Sequence, residues 1–135
     1  MLSEIEEEIR DWLYRAKLDE DSADKLLSGD HPIVETALFH CQQLSEKVLK
    51  AYLTYRGTQF GRTHDLVALV GLCESLDPSF SGLIPNASDL SQYAVRFRYP
   101  TDEPAPSSAD AWLRLEWARQ IKAFVLSRLP STVQP

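Results

Sequence analysis

From Val34 to Tyr52 the chain places Val34, Ala37, Leu38, Cys41, Leu44, Val48, Leu49 and Tyr52 at steps of three and four. A helix turns once in about 3.6 residues, so these side chains share one face and the spacing predicts a long amphipathic helix. Glu35, Gln42, Gln43, Glu46, Lys47 and Lys50 fall on the other side, which reads as solvated. Glu46 stands four residues before Lys50, the favourable order for an intrahelical ion pair. Gly57 is a natural stop.

The same period recurs elsewhere. Ser3 with Glu6 forms a capping-box pattern, and behind it Ile5, Ile9, Trp12, Leu13, Ala16, Ala23, Leu26 and Leu27 mark a stripe that Lys17 and Asp19 interrupt. Asp30 or His31 can cap the second helix, with Pro32 in its first turn. A third helix begins after Thr63 or Asp65, buries Leu66, Leu69, Val70, Cys73 and Leu76, and ends at Asp77-Pro78. Ser79 to Pro85 reads as a loop; Asn86 can cap a fourth helix that turns Leu90, Tyr93, Ala94 and Phe97 inward and stops before Pro100. Thr101 to Ser108 reads as extended, and Ser107 with Asp110 repeats the capping box. The last helix carries Ala111, Trp112, Leu115, Ala118, Ile121, Val125 and Leu129 on one stripe to about Arg128, and residues 130–135 form a frayed tail. No strand-like alternation and no internal repeat appears. The expected fold is all-α: one domain over residues 1–129, an up-and-down antiparallel bundle of four to five helices.

Composition narrows the function. At 135 residues the chain can bury a core without metal or disulfide support. Its net charge of −6 argues against a general basic nucleic-acid surface, so any RNA or nucleotide would need a local basic pocket. Cys41 and Cys73 are distant and lie on apolar sides, which reads as two buried free thiols in a reducing compartment. The acidic, helix-opening first residues do not read as a signal or transit peptide, and no apolar run is long enough to span a bilayer; the expected location is the cytoplasm. The scattered histidines and cysteines have no metal-ligand spacing, and no glycine-rich phosphate loop or nucleophile elbow occurs, so neither metal nor cofactor is expected.

The run His40 to Ala51 reads His-x-Gln-Gln-x-x-Glu-Lys-x-Leu-Lys-Ala; Thr63-His64-Asp65-Leu66 opens the next helix, and Arg98-Tyr99-Pro100 closes the fourth. With the Trp12 helix and the Ala/Trp-rich last helix, these landmarks resemble the HEPN (higher eukaryote and prokaryote nucleotide-binding) domains, in the branch often encoded beside a minimal nucleotidyltransferase. The resemblance implies a nucleotide- or RNA-binding helical module, non-catalytic, dimeric, and the partner or toxin/antitoxin counterpart of a nucleotidyltransferase. Many HEPN proteins are metal-independent endoribonucleases with an arginine four to six residues before a histidine at a dimer cleft. That spacing precedes none of His31, His40 and His64; Arg62 and Arg56 stand two and eight residues before His64.

His64, beside Arg62 and Asp65 at a helix start, can bind an anion or act as general acid or base, making a toxin-type ribonuclease the alternative; equally, it can cap the third helix and pack on the second. Arg96 and Arg98 can bind phosphate, although on a continuous helix they sit about 200° apart. Tyr99 can stack on a base or lie over the core. Lys50, with Gln42, Gln43 and Lys47, can line a groove or simply meet solvent. The candidate ligand residues are therefore Lys50, Arg62, His64, Arg96, Arg98 and Tyr99. Phe39 on the polar side of the second helix, near Gln43, and Trp117 and Phe124 off the inward stripe of the last, suggest a homodimer interface. A third possibility is a structural adaptor that only binds another protein.

Overall fold

The computed structural model of the chain describes every residue except Arg98, Thr101 and Ala105. Helix α1 spans Glu4–Leu27, α2 Val34–Tyr55, α3 Leu66–Leu76, α4 Ile84–Ser91 and α5 Ser108–Leu126. No strand occurs among the described residues. Both capping boxes form: Ser3 Oγ accepts from the Glu6 amide at 3.2 Å while Glu6 Oε1 accepts from the Ser3 amide at 3.1 Å, and Ser107 and Asp110 repeat the exchange at the start of α5.

Helix α2 is the axis of the bundle. Helix α1 folds back along it, α5 lies on a second flank, and α3 and α4 close a third. Leu38, Leu44, Leu49 and Tyr52 reach the centre, where the Tyr52 ring lies 4.5 Å from Phe80 and Phe80 lies 4.9 Å from Phe124. Being covered from several sides, α2 buries 13 of its 22 residues, including Gln42, Ser45, Glu46 and Lys50. This corrects the expectation of a solvated polar face: three of its six members, Gln42, Glu46 and Lys50, lie inside.

Other boundaries move for local reasons. Ile33, not Asp30 or His31, precedes α2, and no side chain caps it. Pro78–Leu83 is not a loop but a 3-10 helix, started by Asp77 accepting from the Ser79 amide, and it runs directly into α4 with Pro85 in the first turn; Asn86 is thus inside the helix rather than its cap. Helix α4 ends at Ser91, followed by a 3-10 turn at Gln92–Ala94, well short of Pro100. Ile5 and Trp112 face solvent. In the tail after Leu129, Ser131–Val133 forms a 3-10 turn against α1, Val133 is buried, and Gln134 Nε2 donates to the carbonyls of Leu126 and Leu129. The expected extended stretch from Thr101 to Ser108 includes two of the residues outside the description; the described ones before α5 form neither helix nor strand.

Two buried carboxylates tie α1 to its neighbours. Asp19 accepts from Lys47 Nζ at 2.5 Å and faces His40 Nδ1 at 2.7 Å. Glu20 accepts from Arg119 Nε at 2.8 Å and Lys122 Nζ at 2.5 Å, with Asp24 on the other arm of Arg119 at 2.9 Å. Burial pushes the Glu20 carboxyl up, but the hydrogen bonds from Lys122 and Arg119 outweigh it and hold it below its ordinary value.

Candidate functional site

The connection between α2 and α3 sets the site. Helix α2 ends in a Schellman motif: the Thr58 amide bonds to the Leu53 carbonyl at 2.9 Å and the Gly57 amide to Thr54 at 3.1 Å. Gly57 at φ +66° supplies the left-handed conformation this requires. Phe60 then tucks edge-on to Trp12, with centroids 6.1 Å apart, and the chain returns toward the side of α2. Asp65 caps α3 by accepting from the amides of Val67 and Ala68. The cap is therefore Asp65, which leaves the neighbouring His64 imidazole for another role.

That imidazole meets the buried carboxylate of Glu46. His64 Nδ1 lies 2.9 Å from Glu46 Oε1, while Lys50 Nζ donates to Oε2 at 3.0 Å. Gln42 Nε2 donates to Glu46 Oε1 at 3.1 Å and to the His64 carbonyl at 3.0 Å, and Gln42 Oε1 accepts from Gln43 Nε2 at 2.7 Å. Glu46 is 4 % exposed, whereas the His64 side chain is 66 % exposed. An ionised carboxylate only accepts, so Nδ1 carries the proton in this contact and Nε2 is left toward solvent. Burial pushes the Glu46 carboxyl up, and the hydrogen bonds from His64, Lys50 and Gln42 more than offset it, holding Glu46 ionised below the usual range.

The remaining candidates separate. Arg62 is exposed and borders an open cavity of about 520 Å³ under the Gly57–Gly61 turn, with Glu8 across from it. Lys50 is 5 % exposed, held by Glu46 and placed 5.8 Å and 5.5 Å from the ring centres of Trp12 and Phe60, so its charge serves the interior. Arg96 is committed as well: it pairs with Glu103 at 2.9 Å, donates to Gln92 Oε1 at 2.7 Å, and lies 5.0 Å over Phe97. Tyr99 is exposed and does not cover the core. Arg98 lies outside the described residues.

Of the residues considered for an interface, Phe39 is half-buried and walls a groove of about 300 Å³ with Glu35, Thr36, Tyr93 and Phe97. Gln43 is held by Gln42. Trp117 lies under the Arg114 guanidinium at 5.1 Å, and Phe124 packs on Phe80 beneath Arg128. Both rings thus have partners within the chain.

Sequence reasoning missed the role of Glu46. Its signal was a polar row, Gln42, Glu46 and Lys50, spaced by four along one line of the helix. Cys41 and Cys73 are buried and free, and desolvation pushes each thiol up to about 12, so neither is a nucleophile at neutral pH. Among the described residues no group of three or more His, Cys, Asp or Glu converges to hold a metal, and no helix is long and apolar enough to cross a membrane.

Comparison with known proteins matches this architecture. The profile of the HEPN domain matches residues 9–128. The solved structure of an archaeal HEPN homologue superposes with a TM-score of 0.70 at 25% identity, covering 89% of this chain and 96% of the other. That of a protein from Thermus thermophilus superposes with a TM-score of 0.72 at 32% identity, covering 90% and 98%. No curated protein matches the sequence. A five-helix bundle with this match over nearly its whole length belongs to the HEPN domain family.

Proposed function

We propose that this chain is a non-catalytic HEPN module that binds the phosphate of a nucleotide or RNA at the α2–α3 connection, through Arg62 and His64. The observation that supports the reading is the His64–Glu46 pair. A buried carboxylate fixes one ring nitrogen at 2.9 Å while most of the imidazole stays in solvent. Such a ring is pre-oriented, so little freedom is lost when its second nitrogen, which carries a proton in the imidazolium form, donates to a phosphate oxygen. Arg62, exposed two residues away, supplies a planar donor suited to phosphate. Lys50 leaves the set of ligand residues, because withdrawing it would strand Glu46. Tyr99, exposed after α4, remains available to stack on a base, and a nucleotidyltransferase or a second copy of the chain is the partner that suits such a module.

The same pair favours one alternative. A histidine oriented by a carboxylate is the arrangement used for general acid–base catalysis, so a metal-independent endoribonuclease with His64 as acid or base is the second reading. A denaturing gel of wild type and His64→Ala with labelled structured RNA and EDTA separates them. Intact RNA in both lanes, with a band shift for wild type in a native gel, is the expected result. Cleavage by wild type that vanishes in His64→Ala would replace binding with catalysis.

A further inference from the structure

We propose that the open cavity at the α1–α2 turn binds a phosphate monoester with an apolar body, through Lys25, His31 and His40. This goes beyond the reading above and does not rest on it. The cavity has a volume of about 520 Å³, within the range of about 300–1,000 Å³ usual for small-molecule sites. In a chain of net charge −6, its lining contains these three basic residues and no carboxylate.

His40 is the fixed member. Its Nδ1 lies 2.7 Å from Oδ1 of the buried Asp19, whose other oxygen is held by Lys47 Nζ. The carboxylate accepts, so Nδ1 donates, and Nε2 has no partner among the described residues. The side chain is 26 % exposed and borders the cavity, so a ligand there can reach it. In the imidazolium form Nε2 donates to an oxyanion.

Lys25 and His31 supply the rest. Both are exposed and make no hydrogen bond or ion pair among the described residues. Lys25 stands in the last turn of α1, where the helix dipole favours a cation. The carboxylates that precede it on α1 are committed elsewhere, Asp21 to Lys17 at 3.0 Å and Asp24 to Arg119 at 2.9 Å. Asp30 and Glu35 do not border the cavity. The positive charge there is therefore uncompensated.

Charge and size select the ligand. An ammonium beside two imidazoles that can take up protons matches the dianion of a monoester better than the single charge of a diester. Leu26 and Ile33 add apolar surface, and the volume is several times that of a bare phosphate, so the ligand brings a body as well as a charge. No side chain caps α2, and Thr36 in its first turn borders the cavity, so amides of that turn add to the donors the side chains supply.

The chain has three histidines, so imidazole NMR of the full chain follows both regions at once: His31 and His40 for the cavity, His64 for the α2–α3 connection. At constant neutral pH, phenyl phosphate should shift the His31 and His40 signals saturably. Dimethyl phosphate, with one charge, and phenol, with none, should shift them only weakly. Lys25→Gln, at an exposed position, should weaken phenyl phosphate at His31 and His40 about tenfold and leave the His64 response as in wild type. Unmoved His31 and His40 signals, equal shifts from phenol or dimethyl phosphate, or unchanged affinity in Lys25→Gln would each overturn the assignment. If His64 alone responds, the cavity is wrong and the phosphate reading of the α2–α3 connection stands; if none of the three responds, both fall.

Discussion

The chain buries charge in two ways. At the α1–α5 seam, Glu20 is enclosed by Arg119 and Lys122, and every partner comes from a helix. At the α2–α3 connection, Glu46 is equally buried, yet one of its partners, His64, comes from a loop and is two-thirds exposed. Both carboxylates satisfy the demand that a buried ion be paired and hydrogen-bonded. Only the second transmits its fixed geometry to the surface. A sealed network serves folding; an open one can also serve a ligand, and that contrast locates the candidate site.

Glu20→Ala should produce the largest effect on stability. It strands Lys122 near the core, leaves Arg119 with Asp24 alone, and should cost about 3 kcal/mol, read by urea denaturation, with RNA or nucleotide affinity unchanged in the fraction that remains folded. Glu46→Ala should cost a similar amount by stranding Lys50, and should in addition weaken the ligand, because His64 loses its orientation. If the two variants bind alike, the distinction between sealed and open clusters fails.

Acid should act on both clusters. Glu20 and Glu46 titrate below their ordinary value of 4.5 in the folded protein. Between those folded values and 4.5 the unfolded chain binds more protons than the native one, so stability rises with pH there. The contribution is complete above about pH 4.5 and is lost as pH falls through the folded values. Unfolding midpoints measured from pH 7 down to pH 3 should stay level and then drop; a midpoint that rises on acidification would contradict the assigned pairs.

Asp65→Ala removes the α3 cap and should cost about 1 kcal/mol, visible as a lower melting temperature. A comparable loss, about 1 kcal/mol, is expected for His64→Ala, which takes one hydrogen bond from the buried Glu46 carboxylate, and its effect on binding should be among the largest.

The bundle was legible in the sequence because apolar periodicity reports directly on helices, and because Ser3 with Glu6 and Ser107 with Asp110 mark starts that form locally. Periodicity identifies the apolar side of α2, but it cannot reveal that the Gly57–His64 connection and α3 cover part of the polar side. Glu46 and Lys50 therefore read as surface residues when they are core. His64 was visible as a candidate, but its orienting carboxylate, 18 residues earlier, was not. Arg96 looked available for phosphate because Glu103, on the return to α5, reaches it only through tertiary folding. The groove went unseen for the same reason: Phe39 and Phe97 are brought together from separate elements.

The most direct measurement of the central claim is an affinity titration of labelled RNA, at low salt, with wild type and Arg62→Ala/His64→Ala, alongside their melting curves. The account predicts saturable binding by wild type, loss of binding in the double variant, and a melting temperature lowered by only a few degrees. Equal affinity in both proteins would place the ligand elsewhere and leave the Glu46–His64 pair as a structural latch on the α2–α3 connection.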